Sequence, residues 1–166
     1  MQNRRTLFGV IAAGLAAVFG WRIWHQNDAE AAPASFAVRK SADEWKRTLS
    51  PDQYHVLRRH GTERPGSSPL NREKRTGVFV CAGCDLPLFS SEAKYESGTG
   101  WPSFWKPLPD AVGTQSDYSL LLPRTEVHCS RCGGHLGHMF KDGPRPTGLR
   151  YCMNGVAMRF VPASDA

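Results

Sequence analysis

Cysteine is scarce in this chain: there are five in 166 residues, and four of them stand in two C-x-x-C pairs. A framework of many disulfides is therefore excluded, and a folded part of some 130 residues can bury an adequate core without one. No internal repeat occurs, and no low-complexity tract beyond an Ala-rich stretch at 29–40. No apolar run reaches the ~20 residues that a bilayer span needs. The formal net charge of +6 comes from scattered Lys and Arg, with one short cluster, "NREKR" at 71–75, that reads as a solvated turn. That distribution is no nucleic-acid footprint, and no nucleic acid is expected as a partner.

The N-terminus has a pattern of its own. "MQNRRTLFGVIAAGLAAVFGWRIW" pairs Arg4 and Arg5 before an uncharged apolar run from Leu7 to Trp21, and small-residue sites follow in "AEAAPAS". This is the layout of an export signal, and the arginine pair resembles a twin-arginine signal of a bacterial protein. Residues 1–31 are read as that signal, with an uncleaved membrane anchor as the alternative. Both place the folded part outside the cytoplasm, in the periplasm or facing it, with the membrane touched only through an uncleaved N-terminal segment. Cutting after Ala31 removes Arg4, Arg5, Arg22, Asp28 and Glu30, so the charge falls from +6 to +5. Residues 32–40 read as a linker and 41–162 as one folded domain.

That domain opens with two helix signals. "SADEWKRTL" carries the capping box Ser41-x-x-Glu44; "SPDQYHVLRRHGTE" carries Ser50, Pro51, Gln53 and Gly61 as cap, first-turn residue, box closure and stop. From Thr76 the pattern changes to short apolar or alternating runs, "GVFVC", "LPLFSS", "YSLLL", "TEVHC", "HMF" and "RYCMNGVAMRFV", broken by Gly, Pro and Asp. An antiparallel, mainly β domain is expected.

Cys81 and Cys84 in "CAGC", and Cys129 and Cys132 in "CSRCGG", each follow a predicted strand. Two intervening residues let both thiolates of a pair turn onto one cation at about 2.3 Å, the way a tetrahedral four-cysteine zinc site is built. Two disulfides are the alternative in an exported chain. Two near-identical knuckles at strand ends favour the metal. Such a zinc is structural, since four thiolates leave it no open position for water.

Cys152 remains. If "RYCMN" is a strand, Arg150, Cys152 and Asn154 share a face, and Gly155 permits a bulge that tips the thiol into a cleft. A cation beside a thiol favours the reactive thiolate. His135 and His138 in "GGHLGHMF" would face opposite sides of a flat strand unless Gly137 bends it. Trp101 sits in the turn "SGTGWPSFW", where a large aromatic suits binding. Against these stand a Cys152 that is simply a small buried hydrophobe and a histidine pair that only fills a strand.

Taken in order, "SPDQYHVLRRHGTERP", "CAGCDLPLFSSEAKYESGTGWPSFW", "RTEVHCSRCGGHLGHMFKDGPRPTGLRYCMN" and "AMRF" resemble the type B methionine sulfoxide reductases, from about Ser41 to Phe160. The resemblance implies two small antiparallel sheets with short helices at the start and one structural zinc on Cys81, Cys84, Cys129 and Cys132. It implies Cys152 as nucleophile, Asn154, His135 and His138 around it, Trp101 against the substrate methyl, and Asp117 where an acidic residue is often found. The implied activity is reduction of protein-bound methionine (R)-sulfoxide through a Cys152 sulfenic acid, repairing oxidised proteins under oxidative stress. A thioredoxin-like or other thiol reductant would regenerate the enzyme, a monomer.

The chain departs from a common form of that family at Thr99 in "GTGW", where many members carry a resolving cysteine. With the other four thiols committed to zinc, a one-cysteine enzyme is expected. Two rival classes are a zinc-stabilised binding module with an inert Cys152 and a Cys-His hydrolase. The second would want its nucleophile beside an oxyanion hole, often at a helix start, whereas Cys152 reads as strand.

Overall fold

The computed structural model describes residues 36–120 and 122–163. The signal or anchor read at 1–31 and the start of the linker lie outside the described residues. Among those described, no helix is long and apolar enough to cross a membrane.

Both helices begin where their capping boxes put them. For α1 (Ala42–Thr48), the Ser41 hydroxyl accepts from the Glu44 N–H at 3.3 Å, and the Glu44 carboxylate accepts from the Ser41 N–H at 2.7 Å. Ser50 and Gln53 exchange the same two bonds at the start of α2 (Pro51–Arg59). Each pairing satisfies donors that a helix start otherwise leaves open. The stop differs from the expectation. His60, not Gly61, takes the left-handed cap, with φ 54°. At Gly61 the exposed His55 ring packs close, and a Cβ there would lie 2.2 Å from it unless that side chain moved. Trp45, Val56 and Leu57 carry the helices into the core. Residues 36–40, read as the end of the linker, are tied down: the Val38 N–H donates to the Arg131 carbonyl at 3.0 Å, and Phe36 packs edge-on against His128.

Nine strands follow among the described residues: β1 (Gly77–Cys81), β2 (Pro87–Ser90), β3 (Lys94–Tyr95), β4 (Ser103–Phe104), β5 (Val112–Asp117), β6 (Arg124–Cys129), β7 (His135–Phe140), β8 (Arg150–Met153) and β9 (Met158–Pro162). They form two antiparallel sheets, β2-β1-β9 and β3-β4-β8-β7-β6-β5. The mainly β architecture with two short helices is the expected one. Phe79 of β1 and Phe89 of β2 meet Phe104 of β4 with ring centroids 5.0 and 4.3 Å apart, so a buried aromatic cluster joins the two sheets.

One predicted strand falls in a connection instead. "YSLLL" lies between β5 and β6, with Tyr118 74 %, Leu120 60 % and Leu122 78 % exposed, and the strand is the polar "VGTQSD" just before it. β5 is an edge strand and needs no apolar face. It stops at Asp117, whose carboxylate accepts the Ser119 N–H at 2.9 Å, an Asx-type turn, and pairs with Arg124 across the hairpin at 2.6 Å.

Candidate active site and metal centre

β1 ends on Cys81 and β6 on Cys129, and the chain turns the same way after each. The Asp85 N–H donates to the Cys81 carbonyl and the Gly133 N–H to the Cys129 carbonyl, both at 2.9 Å. Asp85 and Gly133, each four residues past the first cysteine, take the left-handed conformation at φ 58° and 66°. The turns bring four free thiols together, Cys81, Cys129 and Cys132 buried and Cys84 half-buried. Sγ separations of 3.8 Å (Cys81–Cys132) and 3.5 Å (Cys84–Cys129) sit near the ~3.8 Å edge of a tetrahedron with 2.3 Å metal–sulfur bonds. All four sulfurs lie within 4.8 Å of one another, so the set can hold a metal ion. Crowding drives the thiols apart in acidity: the Cys132 thiol beside Cys129 pulls it down, and Cys129 in turn pushes Cys81 up. A divalent cation is what would let all four ionise together. Because β1 and β6 belong to different sheets, a metal held by the four sulfurs would tie one sheet to the other.

Cys152 lies in β8 between two partners. Across β7 it faces His138, and across β4 it faces Ser103. A cleft of about 120 Å³ opens at this point, lined by Thr62, Trp101, Arg124, His138, Cys152 and Asn154 among others. That admits the end of a side chain rather than a drug-sized ligand, whose pockets run to about 300–1,000 Å³. A larger hollow of about 820 Å³ lies against Glu63, Gly155 and Met158 and contains neither Cys152 nor His138.

The two histidines do converge. β7 carries one extra residue, Leu136, between His135 and Gly137, a bulge opposite Val127 and His128. It brings the His135 and His138 rings to 5.4 Å. Gly137 matters for packing against β8, since a Cβ there would lie 2.2 Å from the Cys152 carbonyl. Each ring has its own carboxylate. His138 Nε2 is 2.7 Å from Asp117 Oδ2, and His135 Nδ1 is 2.6 Å from Glu126 Oε1. Burial lowers His138 below its ordinary value, against the opposing pull of Asp117. Asp117 is held well below the usual carboxylate range by Ser119 first and then by His138 and Arg124. Glu126 is raised by burial but lowered more by His135 and Gln115, to about 2. Only His138 of the pair lines the cleft; His135 is buried, and its Nε2 has no partner among the described residues.

Asn154 lines the same cleft as Cys152, whereas Arg150 lands elsewhere than a shared strand face suggests. Asn154 follows β8 and is buried, with its Nδ2 donating to the Leu136 carbonyl at 3.0 Å and its Oδ1 accepting the Glu63 N–H at 3.0 Å. Arg150 is engaged by Asp142 through two bonds of 2.9 and 2.8 Å and stacks on Phe140, so its charge is balanced by a carboxylate rather than given wholly to the thiol. Gly155 makes no bulge in β8. It starts a 3-10 turn over Gly155–Ala157 and lets Ser68 approach. Trp101 is half-buried, its indole N–H donating to the Glu63 carbonyl at 3.2 Å.

Glu63 went unread in the sequence. Its carboxylate accepts the N–H of Gly155 at 2.5 Å and of Val156 at 3.1 Å, its backbone N–H meets Asn154, and its carbonyl meets Trp101. Burial raises its pKa above the ordinary carboxylate value, against the opposing effect of those two donors. One residue thus fixes Trp101, Asn154 and the turn behind Cys152. The only signal was an acidic residue after a helix stop, which by itself points nowhere.

At Thr99, the place where a resolving cysteine was expected in other family members, the hydroxyl is 3.8 Å from Cys152 Sγ. The position is therefore in reach of Cys152, and it holds oxygen, not sulfur.

A SelR domain matches residues 49–162. The peptide methionine sulfoxide reductase MsrB of Methanosarcina barkeri is 56 % identical over 76 % of this chain and 90 % of its own. The MsrB proteins of Leptospira interrogans (52 %, covering 76 % and 97 %) and Agrobacterium fabrum (52 %, covering 75 % and 93 %) are similar over the same span. With the knuckles, the Cys152–His138 pairing and these matches in hand, the chain belongs to the SelR family, that of the type B methionine sulfoxide reductases.

Proposed function

We propose that this protein reduces protein-bound methionine (R)-sulfoxide to methionine with thiols as the electron source. The observation that carries the reading is Cys152 set opposite His138, itself paired to Asp117, in a cleft walled by Trp101. A thiolate is a soft nucleophile for the polarised sulfur of a sulfoxide. The departing oxygen needs a proton, and His138 supplies it: Asp117 occupies Nε2, which leaves Nδ1 as the free ring nitrogen. Trp101 offers an apolar wall to the substrate methyl and so distinguishes the two arrangements about a chiral sulfur. Asn154, Glu63 and Arg150 hold the turn and strand that present the thiol.

In balance, the sulfoxide oxygen passes to Cys152, giving methionine and a Cys152 sulfenic acid. A first reductant thiol displaces water from that acid to give a mixed disulfide, and a second releases Cys152 as thiol with the reductant as disulfide. Cys81, Cys84, Cys129 and Cys132 would hold one structural zinc, which contributes to folding and not to the redox step. The physiological reductant is a thioredoxin-like or other thiol protein on the far side of the membrane, to which residues 1–31 send the chain as export signal or anchor. The protein acts as a monomer in the repair of oxidised proteins.

Incubation of zinc-loaded protein with a dabsylated methionine (R)-sulfoxide peptide and dithiothreitol tests the activity; product from the R but not the S epimer is expected. No product from either epimer would leave a binding module. Without reductant, one methionine per chain is expected, with a sulfenic acid on Cys152 that a dimedone-type reagent traps. A disulfide to Cys152 with ejection of zinc would make a knuckle cysteine the resolving thiol. Mapping the mature N-terminus in cell fractions decides between cleaved signal and anchor.

A further inference from the structure

The hydroxyl groups beside Cys152 form a chain, and the chain has a direction. Ser103 of β4 is fully buried; its Oγ lies 3.1 Å from the Trp101 carbonyl oxygen and 2.7 Å from Ser97 Oγ. Ser97 Oγ lies 2.8 Å from Thr99 Oγ1 and accepts the Thr99 N–H at 3.4 Å. Thr99 Oγ1 lies 3.8 Å from Cys152 Sγ.

A carbonyl oxygen only accepts, and each hydroxyl has one proton to give. With Ser103 donating to the Trp101 carbonyl, Ser97 must donate to Ser103 and Thr99 to Ser97. Thr99 then turns only lone pairs to the sulfur, which suits an S–H that donates to it. A thiolate needs the reverse. Thr99 must donate to sulfur, Ser97 to Thr99 and Ser103 to Ser97, and the Trp101 carbonyl loses its hydroxyl partner. The two settings differ by that one hydrogen bond.

We propose that Thr99, Ser97 and Ser103 are positioning residues that form a directional hydroxyl relay, favouring the resting thiol of Cys152 and reversing as a unit when the thiolate forms. The inference rests on Cys152 being the nucleophile of the reaction above. The relay carries no net proton, because it ends on a carbonyl oxygen that cannot take one. The thiol proton therefore leaves on the opposite side of the sulfur, toward His138. In a chain with one redox-active thiol, the relay occupies the place a second thiol would take.

The charged and titratable groups around the sulfur are His138 from β7, backed by Asp117 of β5 and Arg124 of β6, Tyr95 of β3, and Arg150 on β8 itself, bound to Asp142. None of them is altered by hydroxyl substitutions, so the variants isolate the relay.

The test is the rate of iodoacetamide alkylation of Cys152 against pH, read by mass spectrometry on the peptide that contains it, in the full zinc-loaded chain. Ser97→Ala cuts the relay and frees the Thr99 hydroxyl to donate to sulfur. Alkylation on the acid side of the profile should rise about tenfold, the size of one hydrogen bond to an ionised group, with the alkaline plateau unchanged. Ser103→Ala should act in the same direction, since the Ser97 proton loses its acceptor and turns to Thr99. Ser97→Thr should restore the wild-type profile. In a Thr99→Val background, Ser97→Ala should have no effect, because the only hydroxyl that touches sulfur is gone. Unchanged or slower alkylation in Ser97→Ala overturns the relay, as does an equal acceleration in the Thr99→Val background, which would mean general loosening. Sulfoxide turnover by the wild-type protein is measured separately, so a failed relay leaves the proposed activity standing and a failed activity is seen without the variants.

Discussion

Two places in this molecule are built on cysteine sulfur, and they have opposite chemistry. In the knuckle cluster each thiol has three other thiols as its neighbours, at 3.5–3.8 Å for the closest pairs. In the cleft, Cys152 has a hydroxyl, an imidazole across the sheet and an opening lined by an indole. The first arrangement suits four sulfurs to one cation, which would tie the two sheets together. The second leaves one sulfur reachable, with proton donors at hand. Reactivity here is a property of the company a thiol keeps, because the same side chain serves both sites.

The sharpest way to break the comparison is to exchange its terms. Cys152→Ser should abolish sulfoxide reduction altogether while metal content and melting temperature stay at wild-type values; residual turnover would place the nucleophile elsewhere. Cys81→Ser or Cys129→Ser should do the reverse damage, losing the metal and much of the folded population, because binding energy at a structural site is folding energy. Metal analysis with circular dichroism reads both, and soluble, active protein without zinc would refute the metal assignment.

Within the cleft, His138→Ala should lower kcat by roughly 10²–10⁴-fold if the imidazole delivers the proton. His135→Ala, one bulge away and outside the cleft, should cost less in kcat. The opposite order would exchange their roles. A smaller effect concerns pH. Burial sets His138 below its ordinary value of 6.5, and Asp117 opposes that lowering. If the protonated ring is the acid, kcat falls as pH rises through a midpoint below 6.5. Asp117→Asn removes the opposing pull, so that alkaline limb should move to still lower pH, with a loss of about tenfold near neutrality, the size of one hydrogen bond to an ionised group. A limb that stays in place would show that His138 is not the titrating acid.

The smallest change sharpens the contrast between one thiol and two. Thr99→Cys puts a second sulfur where a hydroxyl now stands at 3.8 Å from Sγ. After one turnover without reductant it should form an internal disulfide with Cys152, provided the Cα atoms can settle within ~4.4–6.8 Å. Non-reducing peptide mapping would reveal the 99–152 link. A sulfenic acid that persists in the variant would mean the turn cannot close.

Much of this is legible in the sequence. Capping boxes fixed both helix starts, because the partners are three residues apart and need nothing else. The knuckles were legible for the same reason: each is a short turn whose hydrogen bond is internal. The "YSLLL" run misled, since apolar composition says nothing about whether a strand is at an edge, and an Asx-type turn at Asp117 ended the strand first. Gly61 misled too, because His60 tolerates the left-handed cap.

By itself, then, the sequence determined the local pieces: helix starts, paired knuckles, a single thiol outside them, and the long motifs of a SelR-family chain. Tertiary structure alone decided that Asp117 would reach His138, that a bulge at Leu136 would turn His135 toward its neighbour, and that Glu63 would bind Trp101, Asn154 and the Gly155 turn. It also decided that Arg150 would be spent on Asp142. The hydrogen bonds among those contacts join residues from 8 to 92 positions apart. Their energies depend on strand register and on which groups are withdrawn from water, and neither is written in any short stretch of chain.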